Sequence, residues 1–248
     1  MLTALHGFTE TAAVWRQVFG PTARCELLPG HGHAPCPPGS DFAAVAGAIA
    51  ARMPAGGDLL GYSMGGRVAL RLALDHPTRV RRLILISTSP GIIDPKERAL
   101  RRARDERLAQ ILEEDGIGPF VAWWEANPAL RPAKPLARRI QEDLRCLRLN
   151  QDPHCLAANL RQLGTGMMEP QWDRLAQLTM PVLLIAGTAD PAYCDKSAAM
   201  AARIPNAKVV IIPDSGHAVH REQSTALLAA VNEFLDHASV AQFPSGQP

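Results

Sequence analysis

Three residues suited to nucleophilic or base catalysis occur along the chain, each directly after a predicted strand. Ser63 lies in Gly61-Tyr62-Ser63-Met64-Gly65, which matches the G-x-S-x-G turn between a strand and a helix. Asp190 follows the apolar run 181–187, and His217 follows the run 208–212. A serine hydroxyl is a weak nucleophile or base unless an imidazole takes its proton, and that imidazole needs a carboxylate to orient it. The order and spacing predict a triad of Ser63, Asp190 and His217.

Two alternatives remain open for this constellation. Asp214 is a second candidate for the acid, although its place three residues before His217 favours a role in a turn. Ser63 on its own is also compatible with a Gly-rich turn that does no chemistry. No spacing of His, Asp and Glu is typical of a metal site, so the sequence predicts no metal and no cofactor.

The elements that must position these residues alternate between strands and helices, which favours an α/β fold with a mainly parallel sheet. The carboxyl ends of parallel strands meet at one edge of the sheet, so the three candidates are expected to lie together. Predicted strands are Met1–Leu5, Arg24–Leu28, Asp58–Gly61, Val80–Ser87, Pro181–Gly187 and Lys208–Ile212. Predicted helices are Phe42–Met53, capped by Asp41, then Gly65–Asp75 and Ser224–His237.

The stretch 91–170 has a different composition from the rest of the chain. It holds 13 of the 26 basic residues and 12 of the 24 acidic residues, several helical patterns and no convincing strand. That composition favours a helical lid inserted above the sheet. The predicted division is therefore a core formed by residues 1–90 and 171–240, a lid of residues 91–170, and a tail of residues 241–248.

Composition limits the partners of the chain. The 248 residues are 47% hydrophobic with a net charge of +2, which gives no indication of nucleic acid or a membrane surface as a partner. The five cysteines form no CxxC pair, and the start of the chain has no signal-peptide pattern. We therefore expect a cytoplasmic protein with reduced thiols, as a monomer or small homo-oligomer.

Motifs along the sheet portion resemble those of the α/β-hydrolase superfamily: LHGF, PGHG, GYSMGG, AGTAD and the GH at 216–217. The resemblance implies an α/β-hydrolase fold with two oxyanion-hole amides, the N–H groups of Phe8 and Met64. It also implies that the leading strands usual in the superfamily are truncated here, and that His6 and His31 anchor loops.

A narrower resemblance runs through the predicted lid, in SPG at 89–91, ER at 97–98, FVAWW at 120–124, LRLN at 147–150 and GHAVHRE at 216–222. These segments are similar to the family of 2-succinyl-6-hydroxy-2,4-cyclohexadiene-1-carboxylate (SHCHC) synthases of menaquinone biosynthesis. That resemblance implies a lyase that removes a proton from a small polycarboxylate substrate and eliminates pyruvate, with Ser63 as the base.

The same resemblance implies a set of substrate-binding residues. Arginines suit a polyanionic substrate because the guanidinium fork binds a carboxylate in a bidentate manner. The implied residues are Tyr62, Arg67, Arg101, Trp123 and Arg148, with Arg102 as an alternative to Arg101. An ion pair of Arg148 with Glu142 or Asp143 on the same helix is the structural alternative.

Two other functions remain as hypotheses. A serine carboxylesterase or C–C bond hydrolase would use the same triad through an acyl-enzyme. A non-catalytic module would only bind an anionic ligand. Activity on simple esters separates the first from the lyase, and an inert wild-type protein would favour the second.

Overall fold

The computed structural model describes residues 1–240, and its centre is a six-stranded sheet in which every pair of neighbours is parallel. The strand order is β2-β1-β3-β4-β5-β6. The strands are β1 (Leu2–Leu5), β2 (Ala23–Glu26), β3 (Gly57–Tyr62), β4 (Val80–Ile86), β5 (Val182–Gly187) and β6 (Ala207–Ile212). The predicted parallel sheet flanked by helices is thus confirmed. The predicted tail 241–248 lies outside the described residues.

Helices connect the strands and cover both faces of the sheet. Those of the sheet portion are α1 (Ala13–Phe19), α2 (Phe42–Arg52), α3 (Met64–Asp75), α8 (Pro191–Ala201), α9 (Val219–Glu222) and α10 (Ser224–Val240). The Asp41 carboxylate accepts a hydrogen bond from Ala44 N at 2.8 Å, as its predicted capping role requires. None of the helices within residues 1–240 is long and apolar enough to cross a membrane.

Alternation along the strands builds two cores, one on each face of the sheet. Leu59 and Leu83 belong to the core under α2 and α3, whereas their neighbours Leu60 and Ile84 belong to the core under α1 and α10. Successive strand residues point to opposite faces, so a strand covered on both sides reads as a continuous apolar run. This explains the uninterrupted LILI at 83–86.

Four helices lie within the stretch predicted as a lid: α4 (Pro95–Glu114), α5 (Ile117–Ala126), α6 (Arg138–Leu149) and α7 (Pro153–Leu163). They have a small core of their own, in which Leu108, Phe120 and Leu156 are buried. Asp94 and Asp152 cap α4 and α7 by accepting backbone N–H bonds. Whether residues 91–170 act as a separate lid stays a prediction.

Candidate active site

The turn that carries Ser63 joins β3 to α3 at the carboxyl edge of the sheet. Ser63 has φ 51° and ψ −111°, a strained conformation for a residue with a side chain. Two hydrogen bonds hold it there: Ser63 N donates to Ile86 O at 2.9 Å, and Thr88 Oγ1 donates to Ser63 O at 2.7 Å. The structure therefore fixes the hydroxyl at the point where the sheet edge meets the first turn of α3.

Glycine is required on both sides of this serine. A Cβ at position 61 would lie 2.4 Å from Gly65 O, and one at position 65 would lie 2.5 Å from the carbonyl oxygens of Leu5 and His6. Both clashes are with backbone, which cannot move aside. The G-x-S-x-G spacing thus follows from the close approach of β1, β3 and α3.

The three predicted catalytic side chains meet in one hydrogen-bonded chain. His217 Nδ1 lies 2.7 Å from an oxygen of Asp190, and His217 Nε2 lies 3.1 Å from Ser63 Oγ. With Nδ1–H donating to the carboxylate, Nε2 is free to accept the serine proton. Asp214 is not in this chain: its exposed carboxylate forms an ion pair with Lys134 at 2.7 Å, and its φ of 53° places it in a turn. Of the two candidate acids, the structure brings only Asp190 to the histidine.

Two buried histidines position the loop that carries Phe8. His6 Nε2 accepts a bond from Leu28 N at 3.0 Å, and His31 Nε2 accepts one from Thr9 N at 3.2 Å. Burial lowers the pKa of His6 to about 4 and that of His31 well below its usual range. Both rings are therefore neutral at pH 7 and hold the loop. Phe8 lies in the wall of the active-site cavity and Met64 begins α3, whose first N–H groups have no partner within the helix.

We expect this arrangement to make the fold sensitive to mild acid. His6 takes up its proton near pH 6.5 in the unfolded chain but only near pH 4 in the folded chain, so the unfolded state binds more protons in between. His6 alone should lower the free energy of unfolding by about 3 kcal/mol as the pH drops from 6.5 to 4, and the buried His31 should add to this fall. Urea unfolding at several pH values measures this slope. His6→Asn should reduce it, the exposed-histidine variant His33→Gln should not, and an unchanged slope in His6→Asn would contradict the assignment.

A buried cluster of three ionisable side chains was not predicted from the sequence. Glu10, in the loop after β1, lies 2.9 Å from His220 Nε2 and 3.3 Å from Arg221 Nε in α9. Despite burial, His220 and Arg221 hold the pKa of Glu10 well below its usual range. The cluster ties the predicted oxyanion loop to the segment that follows His217. The sequence pointed to this cluster only through the HRE segment at 220–222, which contains His220 and Arg221.

A cavity of about 820 Å³ opens above Ser63 and His217, between the sheet edge and helices α4 to α7. Arg67 in α3 lies in its wall and is only 6% exposed. Within residues 1–240 this arginine forms no ion pair, and its Nε atom is buried without a hydrogen-bond partner. Burial lowers the pKa of Arg67 to about 10, which still leaves it charged at pH 7. A cation beside the predicted base therefore has no direct ion-pair partner among the described side chains, although the charge on Asp105 acts to raise its pKa.

The structure distinguishes Arg101 from its register alternative. Arg101 lies in the cavity wall, where its Nε donates to Asp105 at 2.8 Å. Arg102 points elsewhere and donates to the backbone oxygen of Gly166 at 3.2 Å. Of the two arginines, Arg101 is therefore the one that lines the cavity above Ser63 and His217, and its guanidinium is already paired with the Asp105 carboxylate.

Arg148 also lies in the cavity wall, but with a different partner from those considered on its own helix. Its Nη1 donates to Glu125 of α5 at 3.1 Å, and Arg145 donates to the other oxygen of the same carboxylate. Glu142 instead pairs with Arg138. The Nε atom of Arg148 is buried without a partner, which leaves one donor of its fork unused within the described residues.

Aromatic rings surround the predicted triad. Tyr62 lines the cavity with its ring 5.5 Å from that of His217, and burial raises its pKa well above the usual value, so the phenol is a neutral donor. Trp123 is 38% exposed in the cavity wall, with the Arg104 guanidinium 5.7 Å from its ring centroid. Trp124 also lines the cavity, and its ring stacks on Phe120 in the core formed by α4, α5 and α7. Tyr193, whose ring lies 4.7 Å from His217, was missed by sequence reasoning.

The arrangement suits proton transfer on an anionic small molecule. An imidazole-activated hydroxyl can take a proton or attack a carbon, and the flanking cations can hold carboxylates. Among the side chains that the structure describes, those of residues 1–236, no group of three or more His, Cys, Asp or Glu is placed to hold a metal ion.

Comparison with known proteins gives a family match and several similar chains. The model of the alpha/beta hydrolase family matches residues 4–231. A Bacillus subtilis (strain 168) protein provisionally named 2-succinyl-6-hydroxy-2,4-cyclohexadiene-1-carboxylate synthase is 39% identical over 177 residues. That match spans 71% of this chain and 65% of the relative, so it covers less than two thirds of the relative's length.

Two further similar proteins cover nearly the whole chain. A pimeloyl-[acyl-carrier protein] methyl ester esterase of Aromatoleum aromaticum is 30% identical, with 93% of this chain and 97% of the relative matched. The solved structure of MenH from S. aureus superposes with a TM-score of 0.89 at 32% identity, over 96% of this chain and 94% of that one.

Proposed function

Because the chain belongs to the alpha/beta hydrolase family, whose fold it shares, we propose that its Ser63, His217 and Asp190 form a catalytic triad that serves a lyase. The proposed reaction converts 2-succinyl-5-enolpyruvyl-6-hydroxy-3-cyclohexene-1-carboxylate into SHCHC and pyruvate. The observation that carries it is Arg67, a buried cation that forms no direct ion pair within the described residues and lines the same cavity as Ser63 and His217. The name of the B. subtilis relative supports it.

The names of substrate and product define the bonds that change. The ring double bond at C3 becomes a 2,4-diene, so C2 loses a proton and the C5–O bond to the enolpyruvyl group breaks. The C2 proton is acidic because it lies next to the succinyl ketone. In the proposed step the Ser63 hydroxyl gives its proton to His217 Nε2 as its oxygen takes the C2 proton. The imidazolium then returns a proton to the departing enolpyruvate, which becomes pyruvate.

Charge develops on the succinyl carbonyl oxygen while the proton leaves. We place that oxygen at the N–H groups of Phe8 and Met64, because preorganised amides stabilise such charge in a site shielded from water. Asp190 keeps the Nδ1 proton of His217 in place and stabilises the imidazolium. Apart from Asp190, which acts through His217, the groups used in these steps line one cavity.

The substrate's three carboxylates account for the cations around the triad. We assign one to Arg67 and the others to Arg101 and Arg148, with Tyr62 as a neutral donor and Trp123 over the ring. Arg101 and Arg148 are paired with Asp105 and Glu125, whereas Arg67 forms no direct ion pair within the described residues and interacts with Asp105 only through its charge. The ligand is thus a small polycarboxylate, in a cytoplasmic protein that needs neither nucleic acid nor membrane.

The direct test is pyruvate release from this substrate by the purified protein. We expect one pyruvate per substrate, measured by coupling to lactate dehydrogenase, together with the absorbance of the new diene. Simple p-nitrophenyl esters should be turned over far more slowly. Absence of pyruvate with a chemically verified substrate would reject the proposal.

A serine esterase is the second candidate, favoured by the Ser63–His217 distance of 3.1 Å and by the identity with the A. aromaticum esterase. In that case Ser63 would attack a carbonyl and form an acyl-enzyme. A rapid burst of p-nitrophenol equal to the enzyme concentration, without pyruvate release, would support the esterase and exclude the lyase.

A further inference from the structure

One carboxylate joins two segments of the chain that are distant in sequence. Glu222, the last residue of α9, accepts a hydrogen bond from Gly216 N at 2.8 Å and another from Ala133 N at 2.7 Å. Both bonds end on the same oxygen, Oε2. Gly216 immediately precedes His217, and Ala133 lies in the irregular segment 131–137 between the lid helices α5 and α6.

The two segments are in close contact around this carboxylate. A Cβ on Gly216 would lie 3.0 Å from Arg131 O and 3.6 Å from Ala133 N, so the lid backbone lies directly on the loop that carries His217. A second contact runs parallel to the first on the outside, where Lys134 pairs with Asp214. That pair is exposed on both sides, so it contributes little.

Other lid contacts near this point are sparse. Residues 131, 133, 134 and 135 are exposed, and the segment has no helix or strand to hold it. A hydrogen bond to an ionised carboxylate is roughly twice as strong as one between neutral groups. The Glu222 carboxylate is therefore the strongest of these direct contacts between segment 131–137 and the His217 loop.

We propose that Glu222 is a positioning residue that couples the seating of lid segment 131–137 to the placement of His217. With the segment seated, one carboxylate oxygen fixes Gly216 and Ala133 together. When the segment lifts, the carboxylate loses one of its two partners and the backbone before His217 becomes freer to move. The inference needs the catalytic role of His217 but not the proposed substrate.

The test uses two readouts that do not depend on the substrate. The first is the rate at which an organophosphate labels Ser63, which reports activation by His217. The second is deuterium exchange of the amides of segment 131–137. In Glu222→Ala we expect the labelling rate to fall about 10- to 100-fold, because small misplacements of a reacting group have effects of this size, and we expect exchange in the segment to rise.

Three further variants separate coupling from a general loss of structure. Glu222→Gln keeps an oxygen that can accept both bonds, though more weakly without the charge, so its labelling rate should fall less than that of Glu222→Ala. Ala133→Pro removes the lid N–H while Glu222 and Gly216 stay in place, and it should raise exchange and lower labelling. Lys134→Ala breaks the exposed ion pair and should leave both readouts within about twofold.

The labelling rates of these variants distinguish the proposed role of Glu222 from the alternatives. Wild-type labelling in Glu222→Ala would overturn the proposal, as would a Glu222→Gln variant as defective as Glu222→Ala. Slow labelling in Glu222→Ala together with normal labelling in Ala133→Pro would show that Glu222 acts only by holding Gly216. That result would reject the proposed coupling to segment 131–137. Normal labelling kinetics with no pyruvate release would reject the proposed lyase alone.

Discussion

Replacing Ser63 with alanine should lower kcat for pyruvate release by about 10²- to 10⁴-fold, the usual contribution of a positioned general base. The hydroxyl is the only group removed, and the cations that hold the substrate lie elsewhere in the cavity, so KM should change little. Steady-state kinetics with the coupled lactate dehydrogenase assay would measure both constants. An unchanged kcat would contradict the assignment of Ser63 as the base.

The triad should behave as one unit in this test. His217→Ala should have an effect similar to that of Ser63→Ala, and the double variant should be little worse than either, because the Ser63 hydroxyl can take the C2 proton only while His217 accepts the hydroxyl proton. Asp214→Asn is the matched control, since Asp214 is an exposed acid three residues from His217. It should keep kcat within about twofold, which is within the range expected for an exposed ion pair.

The arrangement of this triad was predictable because it depends on local pattern and one topological rule. Each residue follows an apolar run, and parallel strands bring such residues to one edge. The steric demand for Gly61 and Gly65 is likewise local to the turn. The structure places Ser63 and Asp190 each within hydrogen-bond distance of His217, and the catalytic roles of the three residues stay a prediction.

Contacts made across the tertiary structure were not predictable in the same way. The sequence suggested acids on the same helix as ion-pair partners of Arg148, but its partner in the structure is Glu125 of α5. Glu10 and His220 are 210 residues apart in sequence and form a buried pair. Periodicity within one helix predicts which of its residues share a face. It does not predict which face of a second helix will pack against them.

Three helices of the sheet portion were also not predicted: α1, α8 and the four-residue α9. The seven-residue α1 is too short for a clear 3.6-residue period. Helix α8 begins at Pro191 and is rich in alanine and polar residues, with only Ser197 and Met200 buried. Helix α8 matters for the site because it carries Tyr193. Since the helix was not predicted, the Tyr193 ring was not predicted to lie at the site either.

Replacing Arg67 with methionine should change activity and stability in opposite directions. Loss of one partner of a buried charge pair costs about 2–5 kcal/mol, so kcat/KM for the polycarboxylate substrate should fall at least about 30-fold. If Arg67 holds its carboxylate equally in the ground and transition states, the loss appears in KM. Arg67→Lys should be intermediate, because it keeps the charge but not the bidentate fork.

Stability should rise in the same variant. Without substrate, Arg67 is a buried cation with no ion-pair partner in the described part of the chain, and burial already lowers its pKa to about 10. Replacing buried charge with an apolar side chain of similar length removes a desolvation cost. The free energy of unfolding at pH 7 should therefore increase by about 1 kcal/mol or more, measured by urea unfolding of the ligand-free protein.

Arg71 provides the matched control, because it lies one turn further along α3 and pairs with Asp75. Arg71→Met should leave kcat/KM within about twofold and should lower stability slightly, since it breaks a partly exposed ion pair. A purely structural role for Arg67 predicts the reverse for Arg67→Met, a less stable protein that still turns over substrate. The combination of lower kcat/KM and greater stability arises only if the missing counter-ion of Arg67 is supplied by the substrate.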